Sequence, residues 1–180
     1  MKKLPLPKTG TVTGTVETKF GWLSFTISSN GLKECRFMFP DKDEAERSLN
    51  SQDAGSEVNE ALEIAGKWSP VFKDFFSGRL KSLNTVPLDS TSWTDFQKKV
   101  YETVKSIPYG KTASYGTIAS YLGNEKASRA VGNALKKNPV PPVVPCHRVI
   151  ASDKDLCGFS ALGGIDLKMK LLELEKDNSQ

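Results

Sequence analysis

Cys146 stands next to His147 in the run PPVVPCHRVI, residues 141–150, and His147 is the single histidine of the 180-residue chain. A thiol attacks as its thiolate, and imidazole is one of the few side chains able to take its proton near neutral pH. These residue types therefore point to nucleophilic cysteine chemistry. Pro141, Pro142 and Pro145 fix backbone torsions and remove amide donors around the thiol, which excludes an ordinary helix and predicts a rigid, placed segment. A competing reading is a buried structural cysteine beside a surface histidine. Adjacent residues of an extended chain point to opposite sides, and cysteine is often only a small hydrophobe.

Helices must hold this run. Phe96, Val100, Val104 and Ile107 form an apolar stripe, with Ser92 or Thr94 available as N-cap and Pro108-Tyr109-Gly110 as the stop. Short helices follow from about Ser114 to Leu122, ended by Gly123, and from about Lys126 to Lys137, ended by Asn138-Pro139. Such a pair is a helix-turn-helix. In its second helix Val131 and Leu135 can face the core, while Arg129, Gly132, Asn133 and Lys136 share another face at i, i+3, i+4 and i+7. A mid-helix glycine costs about 1 kcal/mol relative to alanine, so Gly132 implies close approach, either of an external body or of a neighbouring helix.

The first half reads differently. Residues 9 to 39 alternate as TVTGTVET, WLSFTIS and LKECRFMF, separated by KFG and SSNG, which predicts a small antiparallel sheet. Cys35 falls in one strand as a buried packing residue. Residues 41 to 56 are polar and read as a loop with one helical turn at most. A helix is expected from about Glu57 to Phe76, interrupted near Pro70 and stopped by Gly78. Residues 79 to 91 are the candidate linker. The expected class is thus α+β, with domains 1–88 and 89–180.

Composition is globular, 38% hydrophobic and 26% charged, and no apolar run approaches the length of a membrane span. MKKLPLPKTG carries no apolar stretch after its lysines, so no secretory signal is expected there. Cysteines at 35, 146 and 157 are odd in number and lack metal-ligand spacing, which argues against a disulfide framework or a metal site. Reduced thiols suit a cytoplasmic protein, or a nuclear one if eukaryotic. The net charge of +4 is unevenly spread: residues 91–150 hold 9 basic and 3 acidic side chains, against 12 and 12 in 1–90 and 4 and 6 in 151–180. A positive field around the chemistry favours a polyanion such as DNA, although proteins that bind nothing acidic also carry such segments.

PCHRV resembles the active-site motif of the O6-alkylguanine-DNA alkyltransferases, the methylated-DNA–protein-cysteine methyltransferases. The likeness runs from about Phe75 to Glu175. It takes in FFSGRL, the PLD before a Thr/Ser-rich helix start, FQKKVYETVKSIPYGKTASYGTIASYLG, SRAVGNALKKNP and GGIDLKMKLLELE. The first 70 or so residues resemble the family's variable, RNase H-like α/β domain only in layout.

The resemblance implies single-turnover DNA repair. Cys146 would take the alkyl group from O6 of guanine in double-stranded DNA, bound through its minor groove as a monomer, with no cofactor and no membrane. O4-alkylthymine is a second candidate substrate. His147 would accept the thiol proton through water and be oriented by Glu175, the glutamate that fits LLxxE better than Glu173 does. Asn138 would brace the turn before the cysteine. Tyr115 would rotate the phosphate and donate a hydrogen bond to the base, or else be an ordinary half-buried aromatic. Arg129, 17 residues before Cys146, would fill the gap left by the extruded nucleotide, and Gly132, Asn133 and Lys136 would face DNA. The backbone of Cys146, Val149 and Ser160 would read the guanine edge, and Phe159, where the family more often has tyrosine, would stack on it. Ala161-Leu162 look like an insertion in the covering loop. Arg148 would bond carboxylate or carbonyl groups beneath that loop. The alternative from another functional class is a lesion-binding protein without chemistry, but such proteins lack the cysteine. Cysteine hydrolases, for their part, usually have Cys and His far apart in sequence.

Overall fold

The computed structural model describes residues 3–49, 58–152 and 163–179. The chain divides into two compact units, Met1–Thr91 and Ser92–Gln180.

In the first unit β1 (Thr11–Thr18), β2 (Gly21–Ser28) and β3 (Gly31–Phe39) form an antiparallel meander in that order. The two-residue connections fall at the KFG and SSNG signals. Alternation buries Val12, Val16, Leu23, Phe25, Ile27, Leu32, Cys35 and Phe37, as one packed face requires. Helix α1 (Lys42–Arg47) is capped by Asp41, whose carboxylate accepts from the Glu44 amide. Helix α2 (Val58–Phe76) packs on β1 and contributes Trp68, Phe72, Phe75 and Phe76 to the core. Gly14 permits this contact, since a Cβ there would stand 2.5 Å from the Phe25 ring and 3.1 Å from Ala65 Cβ.

Two expectations are corrected. Helix α2 runs on through Pro70 without the predicted interruption; the aromatic packing on either side outweighs the roughly 3 kcal/mol that an interior proline costs. Residues 79–91 are not a free linker. Leu83 and Val86 are buried, Leu32 N–H donates to Pro87 O at 2.8 Å, and Asp89 N–H donates to Leu32 O at 3.0 Å. Ser28 Oγ adds a 2.6 Å bond to Asp89 Oδ2. The edge of β3 offers unpaired backbone groups, and this segment satisfies those of Leu32. It therefore belongs to the first unit, which ends at Thr91, beyond the expected 88/89 boundary.

The second unit opens with α3 (Asp95–Lys105), for which Thr94 is the N-cap. Thr94 Oγ1 accepts from Gln97 N–H, and Gln97 Oε1 accepts from Thr94 N–H, a complete capping box. Val100, Tyr101 and Val104 are buried, whereas Phe96, expected on the same stripe, is 39% exposed. After Gly110 come β4 (Ala113–Ser114), α4 (Tyr115–Tyr121) capped by Ser114, a 3-10 turn at Glu125–Ala127 and α5 (Ser128–Lys136). Gly123 ends α4 at φ +77, a conformation that favours glycine. Helices α4 and α5 pack together, with Val131 and Leu135 buried as expected. The Tyr101 hydroxyl donates to Ala134 O at 2.9 Å and ties α5 to α3. The chain then passes through the proline run into β5 (Val149–Ile150) and ends in α6 (Gly164–Asp177). Among the described residues no helix is long and apolar enough to cross a membrane.

Candidate active site

The proline run delivers Cys146, His147 and Arg148 as one 3-10 turn, all three buried. The chain is therefore turned at the cysteine rather than extended, and the two neighbouring side chains are no longer forced to opposite sides. Asn138 holds the approach. Its Nδ2 donates to Val144 O at 2.8 Å and to Cys146 Sγ at 3.3 Å, while its Oδ1 accepts from Val140 N–H at 3.1 Å. One side-chain amide thus spans the prolines and touches the nucleophile. On the far side β5 pairs in parallel with β4, Ala113 opposite Val149 and Ser114 opposite Ile150. This pairing anchors the active-site segment to the start of α4, where Tyr115 is the first residue.

Helix α6 supplies the third group. Glu175 is completely buried and accepts from His147 Nε2 at 2.7 Å. Arg148 Nε and Nη2 bind the same carboxylate at 2.9–3.1 Å, and Gly110 N–H donates to its Oε2 at 3.0 Å. Glu173, the other candidate, is exposed. Arg148 also donates to Ile107 O at 2.7 Å, so the expected carboxylate and carbonyl partners of this arginine are both present. Burial alone would raise the carboxyl of Glu175, but hydrogen bonds and charge from His147 and Arg148 outweigh it and bring the pKa to about 2. The carboxylate is ionised at any working pH.

This fixes the histidine tautomer. A carboxylate can only accept, so Nε2 carries the proton and Nδ1 keeps the lone pair. Nδ1 is buried and has no hydrogen-bond partner among the described residues, which leaves it able to receive a proton. Burial lowers His147 below its ordinary pKa, with Arg148 and Lys168 adding to the effect against the Glu175 hydrogen bond. Burial likewise raises Cys146, opposed by the Asn138 hydrogen bond and the charge of Lys168. At rest the pair is a neutral thiol beside a neutral imidazole.

The helix-turn-helix carries the remaining candidates. Arg129, Asn133 and Lys136 lie exposed on α5. Gly132 faces the Tyr115 ring, where an added Cβ would stand 3.7 Å from Cε1. That is ordinary contact, so packing within the unit does not demand glycine. Phe159, Ser160, Cys157 and Ala161-Leu162 lie outside the described residues. Sequence reasoning missed Lys168, whose Nζ donates to Val149 O at 2.7 Å, and the Gly110 amide on Glu175. The available signal was a lysine at a core position of α6, with Lys168, Leu171 and Glu175 at i, i+3 and i+7.

A cysteine nucleophile backed by a histidine–carboxylate relay, on a helical unit with a helix-turn-helix, defines a class of DNA-handling cysteine proteins. The description "6-O-methylguanine DNA methyltransferase, DNA binding domain" matches residues 95–177. A methylated-DNA–protein-cysteine methyltransferase of Methanosarcina acetivorans is 38% identical over 88% of this chain and 94% of its own. The crystal structure of the O6-methylguanine methyltransferase of Mycobacterium tuberculosis is 34% identical, with a TM-score of 0.71 over 94% of this chain and 95% of that one. The same organism's protein in complex with DNA gives 0.70 over 92% and 93%, also at 34% identity. The chain belongs to the methylated-DNA–protein-cysteine methyltransferase family.

Proposed function

We propose that this protein repairs alkylated DNA by moving one alkyl group from O6 of guanine to Cys146. The observation that carries this reading is the buried Cys146–His147–Glu175 arrangement behind a helix-turn-helix. In the step, the Cys146 proton passes to His147 and a bond forms between Sγ and the alkyl carbon. The bond from that carbon to O6 breaks, its electron pair stays with the base, and guanine departs after taking up a proton. Tyr115 donates a hydrogen bond to the leaving base. The product is a thioether that water does not readily cleave, so each molecule reacts once. The alkyl donor is the damaged DNA itself, and none of these steps calls on a cofactor.

The direct test is incubation with a duplex carrying one labelled O6-methylguanine, followed by mass analysis of the protein. One methyl on the Cys146 peptide is expected, and continued turnover would refute the proposal. A parallel duplex with O4-methylthymine measures the range of substrates, and sedimentation of the free protein tests the monomer.

Reaching O6 in a duplex requires extrusion of the nucleotide, at a cost of a few kcal/mol in stacking and pairing. Arg129 is exposed on the small, basic face of α5, and Gly132 beside it is not required by internal packing. Both features suit a helix laid closely on DNA with an arginine entering the stack. Arg129→Ala is expected to leave reaction with free O6-benzylguanine nearly unchanged while transfer from duplex falls strongly. The defect should shrink when the lesion sits opposite a mismatch. Loss of a mere phosphate contact predicts something different, weaker binding to all duplexes alike and a salt slope reduced by about one. Single-turnover rates on the three substrates distinguish the two, and an equal loss on all of them would discard the wedge.

A further inference from the structure

The second unit carries a groove of about 630 Å³ between α3 and α4, a size usual for small-molecule sites. Cys146, His147 and Tyr115 do not line it, and neither does any residue of α5. Tyr115 turns its ring to Gly132 of α5, whereas Thr117 and Tyr121 of the same helix turn to the groove. Ile107, Pro108, Ala113 and Ile118 make the lining apolar. Tyr121 is 78% exposed, so its ring offers an uncovered aromatic face to a planar ligand. Thr103 Oγ1 donates to Lys99 O at 2.8 Å and Ser106 Oγ donates to Thr103 O at 2.7 Å, so both hydroxyls have committed their hydrogen and offer only lone pairs. They can accept from a ligand N–H. Glu102 pairs with Lys105 at 3.5 Å, while Lys111 has no carboxylate partner among the described residues. The uncompensated charge of the groove is therefore positive.

We propose that this groove is a second ligand site, taking a small planar aromatic molecule with one anionic group and one N–H, and that its occupant steadies the turn that holds the Glu175 carboxylate. The site stands independently of the repair reading, since it draws on none of the residues used there. One wall is the turn after α3, closed by Lys111 N–H donating to Pro108 O at 3.0 Å, with Gly110 at φ +73. The same stretch is bonded to the active site at three points. Ile107 O accepts from Arg148 Nη1 at 2.7 Å, Gly110 N–H donates to Glu175 Oε2 at 3.0 Å, and Ala113 pairs with Val149. A ligand reaching from Tyr121 and Thr103 to Lys111 bridges α3, α4 and this turn, and so favours the arrangement in which those bonds are made. Opening of the turn, which breaks the bond from Gly110 to Glu175, then becomes rarer.

The test needs no DNA. The probe is 1-anilinonaphthalene-8-sulfonate, which has a planar body, one sulfonate and one N–H; N-phenyl-1-naphthylamine is the same molecule without the charge. Fluorescence titration of the wild type should show one saturable site for the sulfonate and about tenfold weaker affinity for the uncharged probe, the size expected of one charge-assisted contact. K111E should weaken the sulfonate by about the same factor and leave the naphthylamine unchanged. Y121A should weaken both, and K98E, on α3 outside the groove, should change neither. Lys111 and Tyr121 are exposed, so both variants should melt close to wild type. Amide spectra should place the shifted residues around the groove, and hydrogen exchange at the Gly110 amide should slow when the sulfonate is bound. Binding that does not saturate, equal affinity for the two probes, shifts centred on α5, or sulfonate binding unmoved by both K111E and Y121A overturns the site. A saturated groove with unchanged exchange at Gly110 overturns its link to the relay. The comparison of the two probes on the wild type decides the charge requirement even where a variant fails to fold.

Discussion

Replacing Cys146 with alanine is expected to abolish alkyl transfer while leaving affinity for a lesion-bearing duplex within a few-fold. The chemistry has no other sulfur to fall back on among the described residues. Cys35 is buried in β3, and burial together with Glu34 raises its thiol well above the ordinary value. A thiol with so little exposed surface offers almost nothing to an alkylated base, so no methyl should appear on it. Cys157 lies outside the described residues, and peptide mass analysis assigns it directly. The substitution should not unfold the second unit, because Asn138 keeps its bonds to Val144 and Val140 when it loses Sγ. The exposed face of α5 is untouched. Gel-shift affinity, transfer stoichiometry and melting temperature together check this expectation. Residual transfer by Cys146→Ala would mean that the acceptor lies elsewhere.

The second large effect is at the relay, where the structure separates two residues that the sequence treats alike. His147→Ala removes the proton acceptor and should slow transfer by about 10² to 10³, the usual range for lost acid–base assistance. Raising the pH should restore much of the rate, because hydroxide then generates the thiolate. Glu175→Gln should slow transfer by a similar factor yet recover less with pH. Its carboxylate also neutralises the buried Arg148 and holds the Gly110 amide. Removing one partner of a buried ion pair costs about 3–5 kcal/mol, so Glu175→Gln should lower the melting temperature markedly. The wild type should show the same dependence through pH. The pKa of Glu175 is depressed to about 2 in the folded protein, so its contribution is fully present above the ordinary carboxylate range and is lost as pH falls toward 2. His147 is also depressed, so the unfolded chain takes up its proton first and stability begins to fall as pH drops below the ordinary imidazole value. Thermal melts from pH 7.5 down to 3, with a shallower slope in Glu175→Gln, would confirm both signs. A pH-independent defect in His147→Ala would mean that the imidazole only holds structure.

The adjacency of Cys146 and His147, the proline run before them and the helices around them were legible in the chain because each depends on short-range pattern, whereas their assignment as nucleophile and base came from resemblance. Cys146 and His147 are adjacent, and the prolines beside them exclude helix through torsions that are local. The alternation of residues 9 to 39 and the spacing of Val100, Val104, Val131 and Leu135 follow from strand and helix periods. The choice of Glu175 over Glu173 came from resemblance, and the structure supplies its reason, since one is buried against His147 and Arg148 and the other points to solvent.

What the sequence could not decide were the pairings between segments far apart in the chain. Residues 79–91 look like a linker because they have no period of their own, and only the unsatisfied edge of β3 makes them part of the first unit. Pro70 looks like a break until the packing on both sides of it is known. Lys168 reads as one more surface lysine, and Gly110 as a helix stop, until α6 brings them against Val149 and Glu175. The protonation of the site is also a tertiary property. Burial pushes the Cys146 thiol up and the His147 imidazole down, because desolvation acts through the whole surrounding core and no local run of residues encodes it.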